Sequence, residues 1–304
     1  AVYRHGPEHE ATDKPAIFFL HGFPELAYSW RAQMQAFGDA GYPVFAPDQR
    51  GYGRSDKPEN VAKYTMRDLT GDIEGLLDHY GIKQAIFVGH DWGAIILWSL
   101  PLYMNDRILG LAGLNVAHVA HYRADPIELF RDRFGPDMYI VRFQKNGACE
   151  PILEANVRET VRFFMRAPSD ERDADRKSSK QTESLDMLGM LQKGEDHWVG
   201  DLFLDDAEML RYIDAFERCG YTAPLHWYRN MGNNWQAEKQ FLQDGVLPVI
   251  EKPSLMITAD MDRACPPYLA YGMEERVPPL TLVELEGCCH WRRQHLPDAV
   301  HDTI

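Results

Sequence analysis

Short apolar runs recur along the chain, at Ala16 to Leu20, Tyr42 to Ala46, Ala85 to Gly89, Ile108 to Val116, Ser254 to Thr258 and Leu280 to Leu285. Most show little polar alternation. The strands they predict therefore have both faces covered, as in a parallel sheet flanked by helices. Stretches of helical period lie between them. From Thr65 to Tyr80, the residues Leu69, Ile73, Leu76, Leu77 and Tyr80 share one face, and Thr65 with Asp68 supplies an N-terminal cap. Strand and helix alternate up to Ala117 and resume after Val246, which predicts a mostly parallel, doubly wound α/β sheet.

The interval between reads differently. Residues 118–245 are polar, rich in aromatics and helical in spacing, with no convincing strand. Ser169 to Glu183 is strongly charged and reads as an exposed, mobile loop. The expected organisation is a core of residues 1–117 and 246–304 with an inserted helical lid over 118–245. Gly51 to Asp56 lacks the third glycine of a dinucleotide fingerprint and precedes no clear helix.

With 45% hydrophobic residues in 304, the chain can bury a sizeable core. The net charge of −14 repels polyanions, so nucleic acid and anionic membranes are not expected partners. No apolar run reaches spanning length. The five cysteines are an odd count, and Cys288 and Cys289 are adjacent, which suits a reducing compartment. A cytoplasmic location is the expectation.

The chemistry gathers where one predicted strand meets a helix. Gly89-His90-Asp91-Trp92-Gly93 joins the run ending at Gly89 to a helical run from Ala94 to Leu100. This is the pattern of a nucleophile elbow, with Asp91 in the place of serine. A carboxylate is ionised at neutral pH and attacks a strained sp3 carbon, forming an ester on the enzyme. Release of that ester needs a base to activate water. Downstream, one strand ends at Asp260-Met261-Asp262 and a later one at Glu286-Gly287-Cys288-Cys289-His290-Trp291. His290 is the expected base and Asp262 its orienting acid. Asp260 and Glu286 are the competing acids.

Together, His21-Gly22-Phe23-Pro24-Glu25, the Asp91 elbow, Cys289-His290-Trp291 and His226-Trp227-Tyr228-Arg229-Asn230-Met231 resemble the soluble epoxide hydrolases of the α/β-hydrolase fold. The resemblance implies two lid tyrosines on the epoxide oxygen, at Tyr228 and at Tyr139. It also implies backbone N–H groups of Phe23 and Trp92 as an oxyanion hole. A small-molecule epoxide and water are the implied partners, with no cofactor; a homodimer is compatible with this reading. Trp30, Trp92 and Pro24 are expected to line the pocket, which favours an apolar or aromatic substrate.

Other readings carry less. Cys288, Cys289, His290 and His295 suggest a metal, but adjacent cysteines rarely converge on one ion, so none is expected. His118 and His121 read as lid surface or pocket wall. Asp48, Arg50 and Ser55 read as a brace for the oxyanion segment. A haloalkane or haloacid dehalogenase shares the Asp nucleophile, but a halide needs no proton delivery. A non-catalytic binding protein on the same scaffold is the remaining alternative.

Overall fold

The computed structural model describes residues 1–167, 185–291, 294 and 297–304. The charged stretch Ser169 to Glu183 and His295 lie outside the described residues. Strands β1 (Val2–His5), β2 (Ala16–Leu20), β3 (Val44–Pro47), β4 (Ala85–His90), β5 (Ile108–Leu114), β8 (Ser254–Ala259) and β9 (Leu280–Leu285) form one sheet. Its order is β1-β3-β2-β4-β5-β8-β9. Only β1 runs antiparallel to its neighbour; the other pairings are parallel.

The unbroken apolar runs are explained by two packed layers. On β2, Phe18 and Leu20 face the layer that includes the segment between β5 and β8, while Ile17 and Phe19 face the opposite layer. Phe18 stacks on Phe45 with centroids 4.8 Å apart and meets Phe87 at 5.8 Å. Truncating one such core phenylalanine costs about 3–5 kcal/mol. Helix α1 (Arg31–Asp39) lies against β1 and β3. Helix α2 (Met66–His79) opens with a complete Thr65–Asp68 capping box and buries Met66, Leu69, Ile73 and Leu77. Helix α3 (Trp92–Met104) is apolar on nearly all sides and is correspondingly buried against β4, β5 and α2.

Between β5 and β8 the chain is mainly helical. It contains α4 (Pro126–Phe134), α5 (Tyr139–Phe143), α6 (Glu150–Glu154), α7 (Val157–Phe164), α8 (Met187–Gln192), α9 (Asp206–Cys219), α10 (Thr222–Arg229) and α11 (Met231–Glu238). One expectation is corrected here. Two short strands, β6 (Arg166–Ala167) and β7 (Asp201–Leu202), pair antiparallel within this interval. Strands of two residues are too short to carry a period, so no sequence pattern marks them. Tyr212, Phe216, Tyr221 and Trp227 from this interval join Phe23, Tyr52 and Trp92 in one hydrophobic cluster. That cluster anchors the insert over the C-terminal ends of the parallel strands, where open α/β sheets place their sites. Among the described residues, no helix is long and apolar enough to cross a membrane.

Candidate active site

Asp91 sits between β4 and α3 with φ 53° and ψ −122°. Such a backbone costs a non-glycine residue about 1–3 kcal/mol, and packing must hold it there. The packing leaves no room beside it. A Cβ on Gly93 would lie 2.0 Å from the Leu20 carbonyl oxygen, and one on Gly22 would lie 2.3 Å from Asp91 Oδ1. The turn aims the carboxylate into the cavity, and the Phe23 N–H donates to Asp91 Oδ1 at 2.7 Å.

His290 follows β9 and Asp262 follows β8, adjacent parallel strands. His290 Nδ1–H donates to Asp262 Oδ2 at 2.8 Å. Asn115 Nδ2 donates to the same oxygen at 2.7 Å, and the backbone N–H groups of Ala264 and Cys265 donate to Oδ1 at 2.9 Å each. Burial alone would raise the Asp262 carboxyl. The His290 charge and these hydrogen bonds outweigh it and bring the pKa down to about 2. Burial likewise pushes His290 down, but Asp262 and Asp91 hold it above its ordinary value. His290 Nε2 faces Asp91 Oδ2 at 3.8 Å, beyond a direct hydrogen bond. Asp260 does different work: its carboxylate accepts from the N–H groups of Gly287 and Cys288 and so fixes the loop that presents His290.

The phenols of Tyr139 and Tyr228 face the same cavity as Asp91 and His290. Their rings lie 6.0 Å apart at 78°, with Phe143 packed edge-on against both. Burial first, then the nearby Asp91 carboxylate, raises the Tyr228 phenol well above its usual value. For Tyr139, burial comes first, followed by the nearby Cys265, Asp91 and Asp262 side chains. Both phenols therefore stay protonated at neutral pH. The cavity measures about 480 Å³. Phe163, Phe164, Leu185, Met187, Met190 and Val199 give it an apolar wall, while Lys193, His197 and Arg263 add polar groups.

Two pocket expectations are corrected. Trp30 is fully buried on the opposite face of the sheet, packed on Phe19 with centroids 5.0 Å apart. Pro24 is buried and is not among the cavity-lining residues. Trp92 is also buried, but its ring packs edge-to-face on Tyr228 at 5.0 Å and so backs the wall. Nothing local in the chain says which side of a doubly covered sheet an aromatic will take.

A supporting layer escapes the sequence reading. Glu25 and His90 are buried beneath the nucleophile. Glu25 Oε2 accepts from the Gly22 N–H at 2.8 Å and lies 3.0 Å from His90 Nδ1. His90 Nε2 lies 2.8 Å from the His290 carbonyl oxygen, which can only accept, so Nε2 carries a proton. Burial, then the nearby His290 charge, lowers the His90 pKa to about 3. The pair ties the Gly22 segment, the elbow and the loop of His290 together. Asn115 and Cys265 were also missed. For Glu25 and His90 the signal was a polar residue inside a motif; Asn115 and Cys265 lie outside the motifs.

Asp48 braces the oxyanion segment by accepting from the Ala27 and Arg54 N–H groups, and Ser55 donates to its carbonyl. Arg50 turns away to pair with Asp72. His118 is buried, with its pKa pushed to about 4 by burial and Arg276; His121 pairs with Glu238 and stacks on Trp235. Among the described residues, the clustered metal-type donors are Asp262, Cys265 and His290, within 4.8 Å of one another. Both Asp262 oxygens already accept two N–H bonds each, which leaves them little capacity for an ion.

Residues 15–292 match the family model for the alpha/beta hydrolase fold, and the chain belongs to that fold family. It is 37% identical over 303 residues to epoxide hydrolase A of Mycobacterium tuberculosis, covering 94% of this chain and 88% of the relative. It is 32% identical to the bifunctional epoxide hydrolase 2 of Sus scrofa, of whose length it spans 50%. The crystal structure of epoxide hydrolase A from Mycobacterium thermoresistibile superimposes with a TM-score of 0.83 at 34% identity, covering 99% of this chain and 92% of that one. Potato (Solanum tuberosum) epoxide hydrolase I gives a TM-score of 0.82 at 26% identity, with the same coverage. Within the fold family, the chain belongs to the epoxide hydrolases.

Proposed function

We propose that this enzyme opens an apolar or aromatic epoxide to a vicinal diol through a covalent ester on Asp91. The observation that carries the reading is a single cavity onto which Asp91, His290, Asp262, Tyr139 and Tyr228 all converge. Residues 118–245 act as the lid over it.

Tyr139 and Tyr228 donate to the ring oxygen while Asp91 Oδ2 attacks a ring carbon. The Oδ2–C bond forms, the C–O bond of the ring breaks, and one phenol gives its proton to the leaving alkoxide. Solvent later restores that proton. The ester consumes the Asp91 charge, which removes one of the interactions that raise His290. His290 thereby becomes more readily neutral at the moment a base is required. It takes a proton from water, which adds to Asp91 Cγ. The resulting oxyanion develops on Oδ1, where the Phe23 N–H already points, with the Trp92 N–H as second donor. Collapse breaks the Cγ–Oδ2 bond, His290 returns its proton to the diol, and Asp91 keeps the oxygen of water as a carboxylic acid that releases its proton to solvent.

A single turnover in heavy-oxygen water tests this directly. The label is expected in the peptide containing Asp91 and not in the first diol released. Label appearing first in the diol would mean that water attacks the ring without an ester. Tyr228→Phe and Tyr139→Phe should each slow ester formation about 10²- to 10³-fold, read by quench and intact mass, because each removes a donor aimed at developing charge. These phenols also distinguish this reading from a dehalogenase, whose halide needs no proton. Diol formation against halide release on matched substrates separates the two.

A further inference from the structure

Two side chains outside the reacting atoms join the helices that carry the phenols. Tyr139 opens α5, and Tyr228 lies one residue before the end of α10. The next residue, Arg229, turns back toward α5. Its Nε–H donates at 3.0 Å to the carbonyl of Phe143, the last residue of α5. Its Nη2 donates to Glu150 Oε1 at 2.7 Å, and its Nη1 donates to His226 Nδ1 at 3.1 Å. The side chains of the ion pair are only 4% and 8% exposed. Gln144 adds a second tie: its Nε2 donates to the Ile140 carbonyl at 2.9 Å and to the Tyr228 carbonyl at 3.1 Å.

The carbonyls at a helix end have no partner within the helix and accept whatever donor is offered. A guanidinium offers several in fixed directions within one plane, which an ammonium cannot do. Two phenols that share one oxygen need their relative placement held within about 0.5 Å. The ring of Phe143, whose carbonyl Arg229 holds, is also the ring packed against both phenols, at 5.6 Å and 5.0 Å.

We propose that Arg229 and Gln144 are positioning residues that set the spacing of the Tyr139 and Tyr228 hydroxyls, with Glu150 fixing the Arg229 fork. This rests on the reading of the two tyrosines as proton donors. Neither residue contacts substrate, so its loss acts through the phenols alone. Ester formation needs both phenols. Hydrolysis of an ester already formed depends on His290 and water.

Arg229→Lys keeps the charge but loses the planar fork; Gln144→Leu removes no charge and no buried ion pair. Each half-reaction is followed in a single turnover by quench and intact mass. Arg229→Lys should slow ester formation at least tenfold and Gln144→Leu severalfold, with ester hydrolysis changed less than twofold in both. Should Arg229→Lys fail to fold, Gln144→Leu decides alone. Equal slowing of both half-reactions would reduce these residues to general lid stability and overturn the proposal. Normal ester formation in either folded variant would overturn it too. Wild-type turnover with no ester on Asp91 would overturn the underlying mechanism as well, which separates the two failures.

Discussion

Asp91→Ala should abolish diol formation, with kcat/KM falling by about 10⁴-fold or more. On the proposed mechanism the replacement removes the atom that forms the new bond, and no neighbour is placed to substitute for it. The other carboxylate of the site, Asp262, is turned toward His290 and Asn115 and has both oxygens engaged by N–H donors. The fold should survive, because alanine keeps the Cβ and loses only the Phe23 N–H bond and the charge facing His290. The check is diol yield beside an unchanged circular dichroism spectrum. Residual activity within about tenfold of wild type would show that Asp91 does not form the bond.

His290→Gln should stop the cycle halfway. Glutamine can still donate to Asp262, so the loop stays in place, but it cannot accept a proton from water. Turnover falls about 10²- to 10⁴-fold, and the ester accumulates as a mass increase equal to that of the substrate. The wild-type enzyme supplies the matching pH dependence. His290 serves as a base only when neutral, and its pKa is raised in the free enzyme. Ester hydrolysis should therefore rise with pH and level off above the pKa of His290 in the ester. Ester formation needs no neutral imidazole and should not follow the same curve. A His290→Gln variant that turns over freely without trapped ester would assign the base elsewhere.

How much of this was legible depended on distance along the chain. The elbow was readable because Gly89, Asp91 and Gly93 are neighbours in one short turn: Asp91 takes a positive φ and a Cβ on Gly89 would strike the Gly93 carbonyl, although the clash that keeps Gly93 a glycine comes from the distant Leu20. The α2 cap was readable for the same reason. Pattern favoured Asp262 over Asp260 and Glu286 as the partner of His290 without showing what each carboxylate meets. The structure separates them by partner, since Asp262 meets His290 and Asp260 meets the backbone of Gly287 and Cys288. Glu25 and His90 looked like flanking letters of two motifs. Their meeting 65 residues apart in sequence depends on how β2 and β4 pair.

By itself the sequence determined the alternation of strand and helix, the mainly helical stretch between Leu114 and Ser254, and the place of Asp91 on a strand-to-helix turn. Each of these is written in residues close enough to constrain one another's backbone or side-chain period. Only the tertiary structure decided that Trp30 faces away from the cavity, that Asn115 and two N–H groups hold Asp262, and that Arg229 grips the helix of Tyr139. Those outcomes depend on which of two buried faces a side chain takes and on which distant segments meet, and packing of the whole chain settles both.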